Sequence, residues 1–290
     1  MKTAFIGLGA MGAPMARNLH AAGLLAAVQS RTAEKAEALA AELGVTACGS
    51  PADTLAQADV IFLCVTADEH VLAVVDALCT PAAAGKLIVD TSTVAAGTAA
   101  EAAKRLSAVG ARFIDAPITG GTEGAIKGTL TFMVGGEVDD VAAVAPAFEA
   151  MGARTVHLGP VGAGQSCKAV NQVMCAGINQ AVTEGLAFAE SLGLPLDKVI
   201  DVTGSGAAGS WFVNHRGRTM VAGEFPLGFK LALHLKDLKI CQEMVRERGG
   251  ELPLVDRTVA QYEALVEQGH GDEDISALYR TNRQLFPGKE

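Results

Sequence analysis

Positive charge is in short supply in this 290-residue sequence, with 23 Lys and Arg against 32 Asp and Glu and a formal net charge of −9. That balance argues against a nucleic-acid surface. It leaves room for an anionic ligand, which local dipoles and single basic residues decide. No run of about 18 apolar residues occurs, so neither a membrane span nor a membrane partner is expected. A strand signal begins at once, so no signal peptide is expected. There is no C-x-x-C pair. The six cysteines, Cys48, Cys64, Cys79, Cys167, Cys175 and Cys241, are scattered. Three lie in apolar contexts, and the set reads as reduced packing residues of a cytoplasmic protein. No His, Cys and carboxylate cluster has metal-site spacing, so no metal is expected. What is abundant is apolar residues: 50% of the chain is hydrophobic and 19% charged. Such a chain buries a sizeable core in one large or two medium domains.

Strand and helix signals alternate through the first half. Val60–Val65, Leu87–Asp90 and Phe113–Asp115 are continuous apolar runs, as expected of parallel strands covered on both faces. Ala33–Leu43, Glu69–Leu78 and Thr98–Val109 read as the helices between strands. Thr129–Val134 and Val156–Leu158 are further strand candidates, after which Gly159-Pro160 breaks the pattern. From there strand signals stop. Residues 164–192 form a Pro-free, Ala-rich run, long for a globular helix and apolar on most faces, which predicts protein around it on several sides. Phe229–Arg248 and Pro253–Gln268 read as further helices. The expected architecture is α/β: a doubly wound parallel sheet over 1–162, then an all-helical domain over 163–290, joined by the long helix.

The first strand runs into Gly7-Leu8-Gly9-Ala10-Met11-Gly12, a G-x-G-x-x-G turn. A helix (Ala13–Ala22) and a second strand (Leu25–Ser30) follow, completing a βαβ unit. Gly7 allows the sharp turn, Gly9 keeps side chains away from a pyrophosphate, and Gly12 lets helix and strand pack closely. The helix N-terminus offers N–H groups and partial positive charge to phosphates. The plain alternative is an ordinary glycine-rich turn, which this context disfavours. After the second strand, NAD-binding turns usually place an acid that binds the ribose 2′-OH. Here the residues are Ser30, Arg31 and Thr32. An Arg pairs with a 2′-phosphate that a carboxylate would repel, so NADP is expected over NAD. The alternative is that Arg31 only stacks on the adenine.

Two further constellations follow. In the segment 162–172, Lys168 and Asn171 are three apart and share a helix face among small or apolar neighbours. Partial desolvation suits a lysine to general acid–base work, with Asn171 orienting it or holding a substrate hydroxyl. A lone lysine is more often a solvated surface charge. The segment Asp115-Ala116-Pro117-Ile118-Thr119-Gly120-Gly121-Thr122 follows a strand, at the carboxyl edge where doubly wound folds bind ligands. The Thr119 hydroxyl and the Gly120 and Gly121 N–H groups suit a carboxylate, and a plain glycine-rich turn is the alternative.

Five ordered segments together resemble the 3-hydroxyacid dehydrogenase family: FIGLGAMGAPMARNL from Phe5, DAPITGG from Asp115, GTLTFMVGG from Gly128, GAGQSCKAVNQ from Gly162 and GFKLALHLKDL from Gly228. This family includes 3-hydroxyisobutyrate dehydrogenase, tartronate semialdehyde (2-hydroxy-3-oxopropionate) reductase, and glyoxylate and succinic semialdehyde reductases. The resemblance implies that Thr119, Gly120 and Gly121 hold a substrate carboxylate. It implies that Lys168 is the general acid–base, with Asn171 beside it, and that Lys236 and Thr93 lie near the cofactor. Val65, Thr66 and Phe229 join the expected cofactor-binding set. Relatives usually carry Ser where this chain has Thr119, whose added methyl narrows the pocket.

The implied activity is NADPH-dependent reduction of a small acid semialdehyde to a hydroxyacid, reversibly, with tartronate semialdehyde the leading substrate. 3-Hydroxyisobutyrate dehydrogenase and glyoxylate or succinic semialdehyde reductase are the alternatives within the family. An imine reductase is disfavoured by Lys168. A non-catalytic nucleotide-binding module is disfavoured by Lys168 and by the net charge of −9. Relatives are commonly homodimers or homotetramers, and the same is expected here.

Overall fold

The structure, a computed structural model, describes residues 1–286. The chain falls into two compact units, Met1–Lys168 and Ala169–Glu290. The first begins β1 (Thr3–Ile6), α1 (Gly12–Ala21), β2 (Leu25–Gln29), α2 (Ala33–Leu43), β3 (Thr46–Cys48), β4 (Val60–Leu63) and α3 (Asp68–Leu78). It continues β5 (Leu87–Asp90), α4 (Ala96–Ser107), β6 (Arg112–Asp115), β7 (Ile118–Thr119) and α5 (Gly121–Lys127). Then come β8 (Leu130–Gly135), α6 (Val138–Ala143), α7 (Ala145–Met151) and β9 (Gly152–Gly159). The helix α8 (Ala163–Ser191) runs from the first unit into the second. The rest is helical: α9 (Leu196–Ser205), α10 (Trp211–Val221), α11 (Leu231–Arg246), α12 (Pro253–Glu267) and α13 (Leu278–Arg283).

The strands make one nine-stranded sheet in the order β3-β2-β1-β4-β5-β6-β8-β7, with β9 also on β8. From β3 to β6 every pairing is parallel. The strand order reverses at β1, so a crevice opens beyond the carboxyl ends of β1 and β4, where doubly wound folds take ligands. Strict alternation explains the continuous apolar runs. Phe5 and Phe62 face one core layer while Ala4, Ile6, Ile61 and Leu63 face the other, and all are buried. Phe5 and Phe62 stack with ring centres 6.1 Å apart, and Phe148 of α7 meets Phe62 edge-on.

The sheet departs from the all-parallel expectation at one end. β8 runs antiparallel to β6 and β7 and parallel to β9. β7 and the start of α5 fall within Asp115–Thr122, a stretch in which the sequence suggested a carboxylate-binding loop and no strand or helix. The cause is Gly120, with φ +130°, and Gly121, with φ +63°, which start a helix from conformations that L side chains rarely adopt. α8 departs as well. Val170, Met174 and Ile178 recur at every fourth residue and stay exposed, so one face of the helix is uncovered in the single chain. The second unit packs its own core around Tyr262, Tyr279, Leu238 and Val255.

Candidate active site

At the end of β1 the turn carries three glycines, two of which leave no room for a side chain and one of which stands in the open. A Cβ on Gly7, φ +96°, would lie 2.2 Å from the Cys64 carbonyl oxygen, and one on Gly12 would lie 1.9 Å from that of Gly7. These two glycines are required by the fold itself. Gly9 is different: a Cβ there would meet nothing within 4 Å. The space above Gly9 is open, and Gly9 and Ala10 are exposed. No acidic residue lies in the first turn of α1, and no side chain caps it among the described residues. Donors and the positive end of the helix dipole thus face a cradle with room for a pyrophosphate. Leu8 is buried and Met11 half-buried beside them.

After β2, Arg31 and Thr32 are exposed and Ser30 half-buried. Arg31 Nη1 lies 3.4 Å from His70 Nε2, and His70 Nδ1 lies 2.9 Å from the Thr66 hydroxyl. Among the described residues no carboxylate pairs with Arg31. Sequence reasoning passed over His70, which gave no motif. The Val65 N–H donates to Ser92 Oγ at 2.9 Å. Burial pushes the thiol of the neighbouring half-buried Cys64 up to about 12.

Thr93 sits in a segment held by buried polar groups. Asp90 is fully buried, and its Oδ1 accepts the Ser92 N–H at 2.9 Å. Burial raises the Asp90 carboxyl to about 6, with the Asp115 and Asp68 charges adding to the rise and Ser92 opposing it. Gln165 grips the same segment from α8. Its Nε2 donates to the Ser92 carbonyl at 2.8 Å, and its Oε1 accepts the Val94 N–H at 3.2 Å.

Asp115, at the end of β6, is the second buried carboxylate. Its oxygens accept the N–H groups of Gly162 at 2.7 Å and Gln165 at 2.8 Å. Burial raises this carboxyl too, and the backbone N–H groups oppose the rise. It caps the start of α8 and lies four residues before Thr119, which is half-buried beside the exposed Gly120 and Gly121. Lys168 follows Gln165 by one turn of the same helix and is only 7% exposed. The first unit therefore ties the Ser92–Val94 segment, the end of β6 and the helix bearing Lys168 through two side chains, Asp115 and Gln165. Neither was singled out from the sequence.

The second unit contributes a separate polar group. The Asn171 Nδ2 donates to Gln172 Oε1 at 2.8 Å, and Gln172 Nε2 donates to Asp237 Oδ2 at 2.6 Å. Asp237 Oδ1 lies 2.9 Å from Lys236 Nζ. The sequence pointed to Asn171 and Lys236, and the structure joins them through Gln172 and Asp237. Phe229 is half-buried, with its N–H on Asp274 Oδ2 at 2.9 Å and its ring centre 5.2 Å from that of His234. Among the described residues no three His, Cys, Asp or Glu side chains are grouped to hold a metal ion, and no helix is long and apolar enough to cross a membrane.

Residues 2–159 match the family described as the NAD binding domain of 6-phosphogluconate dehydrogenase. Residues 162–282 match that described as NAD-binding of NADP-dependent 3-hydroxyisobutyrate dehydrogenase. Among curated proteins, the chain is 38% identical over 287 residues to an uncharacterized oxidoreductase of Synechocystis sp., covering 98% of each. It is 34% identical over 281 residues to the 2-hydroxy-3-oxopropionate reductase of Escherichia coli, covering 96% of each. Among solved structures, it superposes on the 3-hydroxyisobutyrate dehydrogenase of Mycobacterium tuberculosis, described with L-serine, at a TM-score of 0.88 and 32% identity over 97% of this chain and 99% of that one. A cradle open above Gly9, two nicotinamide-nucleotide family matches and end-to-end relatives agree: the chain is a nicotinamide-dependent oxidoreductase and belongs to the 3-hydroxyacid dehydrogenase family.

Proposed function

We propose that the enzyme is an NADPH-dependent reductase of a short acid semialdehyde, with 2-hydroxy-3-oxopropionate as its best substrate, and that it works reversibly as a 3-hydroxyacid dehydrogenase. The observation that carries the reading is Lys168, buried one turn beyond a helix start that Asp115 caps. When bound, the cofactor supplies the hydride chemistry at the carbonyl carbon. The backbone around Gly7, Gly9 and Gly12 binds its pyrophosphate. Arg31 pairs with its 2′-phosphate, with Ser30 and Thr32 donating hydrogen bonds. Val65, Thr66, Thr93, Phe229 and Lys236 complete the contacts. Thr119, Gly120 and Gly121 hold the substrate carboxylate and so fix where the carbonyl lies. Lys168 gives its proton to the carbonyl oxygen and stabilises the charge that develops there. Asn171, one turn along α8, binds a substrate hydroxyl.

A homodimer or homotetramer in the cytoplasm is part of this reading. The exposed Val170, Met174 and Ile178 on α8 support self-association, which light scattering tests. Among the described residues no cysteine is in a disulfide, which supports a reducing compartment.

Initial rates decide the substrate and the cofactor. Tartronate semialdehyde, methylmalonate semialdehyde, glyoxylate and succinic semialdehyde are reduced with NADPH and with NADH, and L-serine is included in the oxidative direction. The expected result is the highest kcat/KM for tartronate semialdehyde with NADPH. Propionaldehyde reduced as well as the acid would remove the carboxylate clamp. A preference for succinic semialdehyde would keep the clamp and overturn the short substrate.

A further inference from the structure

Within the second unit, Asn171, Gln172, Asp237 and Lys236 form one unbroken hydrogen-bonded chain. Its middle members are shielded from water: Gln172 is 1% exposed and Asp237 4%. At that depth every contact must set a donor against an acceptor. The direction of the chain is then fixed from one end. A carboxylate offers only acceptors. Asp237 takes the Lys236 ammonium on Oδ1, so Gln172 must turn its NH2 toward Oδ2. That leaves Gln172 Oε1 facing Asn171, which must answer with its own NH2. The same nitrogen also faces Cys175 Sγ at 3.6 Å. Both Asn171 amide hydrogens are thereby committed inside the protein, and Oδ1 is what the residue has left to offer.

A second buried chain holds the backbone of this segment still. His234 Nε2 donates to the Gln172 carbonyl at 3.3 Å. Its Nδ1 takes the Tyr262 hydroxyl at 3.2 Å, and that hydroxyl accepts from Asn179 Nδ2 at 2.8 Å. With His234, Tyr262 and Asn179 all fully buried, the backbone is fixed and the amide polarity is the remaining variable.

We propose that Asp237 is a positioning residue that sets Asn171 as a hydrogen-bond acceptor, so that the site selects a substrate group that donates, the hydroxyl of a hydroxyacid. The inference rests on the reading that puts Asn171 at the substrate. It differs from that reading in naming which atom is presented and what dictates it.

The polarity can be inverted without changing shape. In Asp237→Asn, Lys236 keeps the Oδ1 position and the new NH2 faces Gln172. Gln172 turns over, Asn171 turns over in response, and an NH2 now faces outward. A hydroxyl can also accept from that NH2, but its own hydrogen is then left without an acceptor, and the expected result is a rise of about 10-fold in KM for the hydroxyacid, the worth of one net hydrogen bond, with kcat changing less. Asn171→Asp alone sets acceptor against acceptor at one link or the next, so both the thermal midpoint and kcat/KM fall. Combining Asp237→Asn with Asn171→Asp removes the conflict and restores an outward acceptor. The combined variant is expected to melt higher than Asn171→Asp alone and to exceed its kcat/KM by about 10-fold.

A merely structural role for Asp237 predicts multiplied losses in both readouts. That result, or a wild-type KM in Asp237→Asn, overturns the proposal at the polarity step. Undiminished kcat/KM in Asn171→Ala overturns it at the substrate assignment, so the two failures are told apart. If Asn171→Asp does not fold, the KM of Asp237→Asn decides alone.

Discussion

Replacing Asp90 by Asn should stabilise the protein at neutral pH and do nothing in acid. Asp90 is fully buried beside Asp115, its register partner on the neighbouring strand. Oδ1 accepts the Ser92 N–H, and among the described residues Oδ2 has no hydrogen-bond partner. Burial accordingly raises the carboxyl from 3.8 to about 6. The sign follows from proton counting. Between those two values the folded chain holds a proton that the unfolded chain has released, so stability falls as pH rises through that window. Above pH 6 the ionised group costs the fold on the order of 3 kcal/mol, at about 1.4 kcal/mol per pH unit. Asn keeps the acceptor for Ser92 and never ionises. The thermal midpoint of Asp90→Asn relative to wild type should be near zero difference at pH 4. It should rise by several degrees at pH 7.5, since about 1 kcal/mol is worth roughly 2–4 °C in a domain of this size. Differential scanning calorimetry at half-unit pH steps is the assay. A pH-independent difference, or a wild type more stable at pH 7.5, would refute the reasoning. The enzyme tolerates this cost because Oδ1 orders Ser92, whose hydroxyl and carbonyl hold Val65 and Gln165.

Four other outcomes are expected. Lys168→Ala should lower kcat by about 10²–10⁴-fold, with cofactor affinity by fluorescence titration little changed. A tenth of wild-type turnover retained would remove Lys168 from the proton transfer. Arg31→Asp should invert an NADPH preference of about 10–150-fold, the worth of one charge-assisted contact, and a wild type that uses both cofactors equally contradicts it. Asp115→Asn sets an NH2 against one of two backbone N–H groups, so about 1–3 kcal/mol of stability should be lost. kcat should drop with it as the start of α8 loosens, and an unchanged kcat would show that the cap does not position Lys168. Phe62→Ala empties the space between Phe5 and Phe148 and should cost about 3–5 kcal/mol by urea denaturation without altering cofactor specificity.

Where a segment's own pattern matched its burial, the sequence was readable. Ala33–Leu43 and Leu87–Asp90 appear in the structure with those bounds. One buries a single helix face and the other is covered on both sides of the sheet. β3 escaped notice because it has three residues, two of them exposed, and so no apolar run. The antiparallel setting of β8 escaped because strand direction depends on where the chain returns, which a local run does not encode. The candidate site divides along the same line. Lys168, Asn171 and Thr119 are candidates that residue type and spacing suggest, because those features indicate what such side chains can do to a ligand. Asp115, Gln165 and Gln172 have their partners 47, 73 and 65 residues away, and contacts at that range leave no periodic trace. Asp115 does leave one local mark. A Cβ on Gly164 would lie 2.8 Å from its Oδ2 and 2.3 Å from the Met133 carbonyl oxygen. The Gly-x-Gly ahead of the lysine is thus the imprint of a buried carboxylate from another strand. Met133 and Asp115 leave residue 164 no room for a side chain, and the helix bearing Lys168 can start there only because it has none.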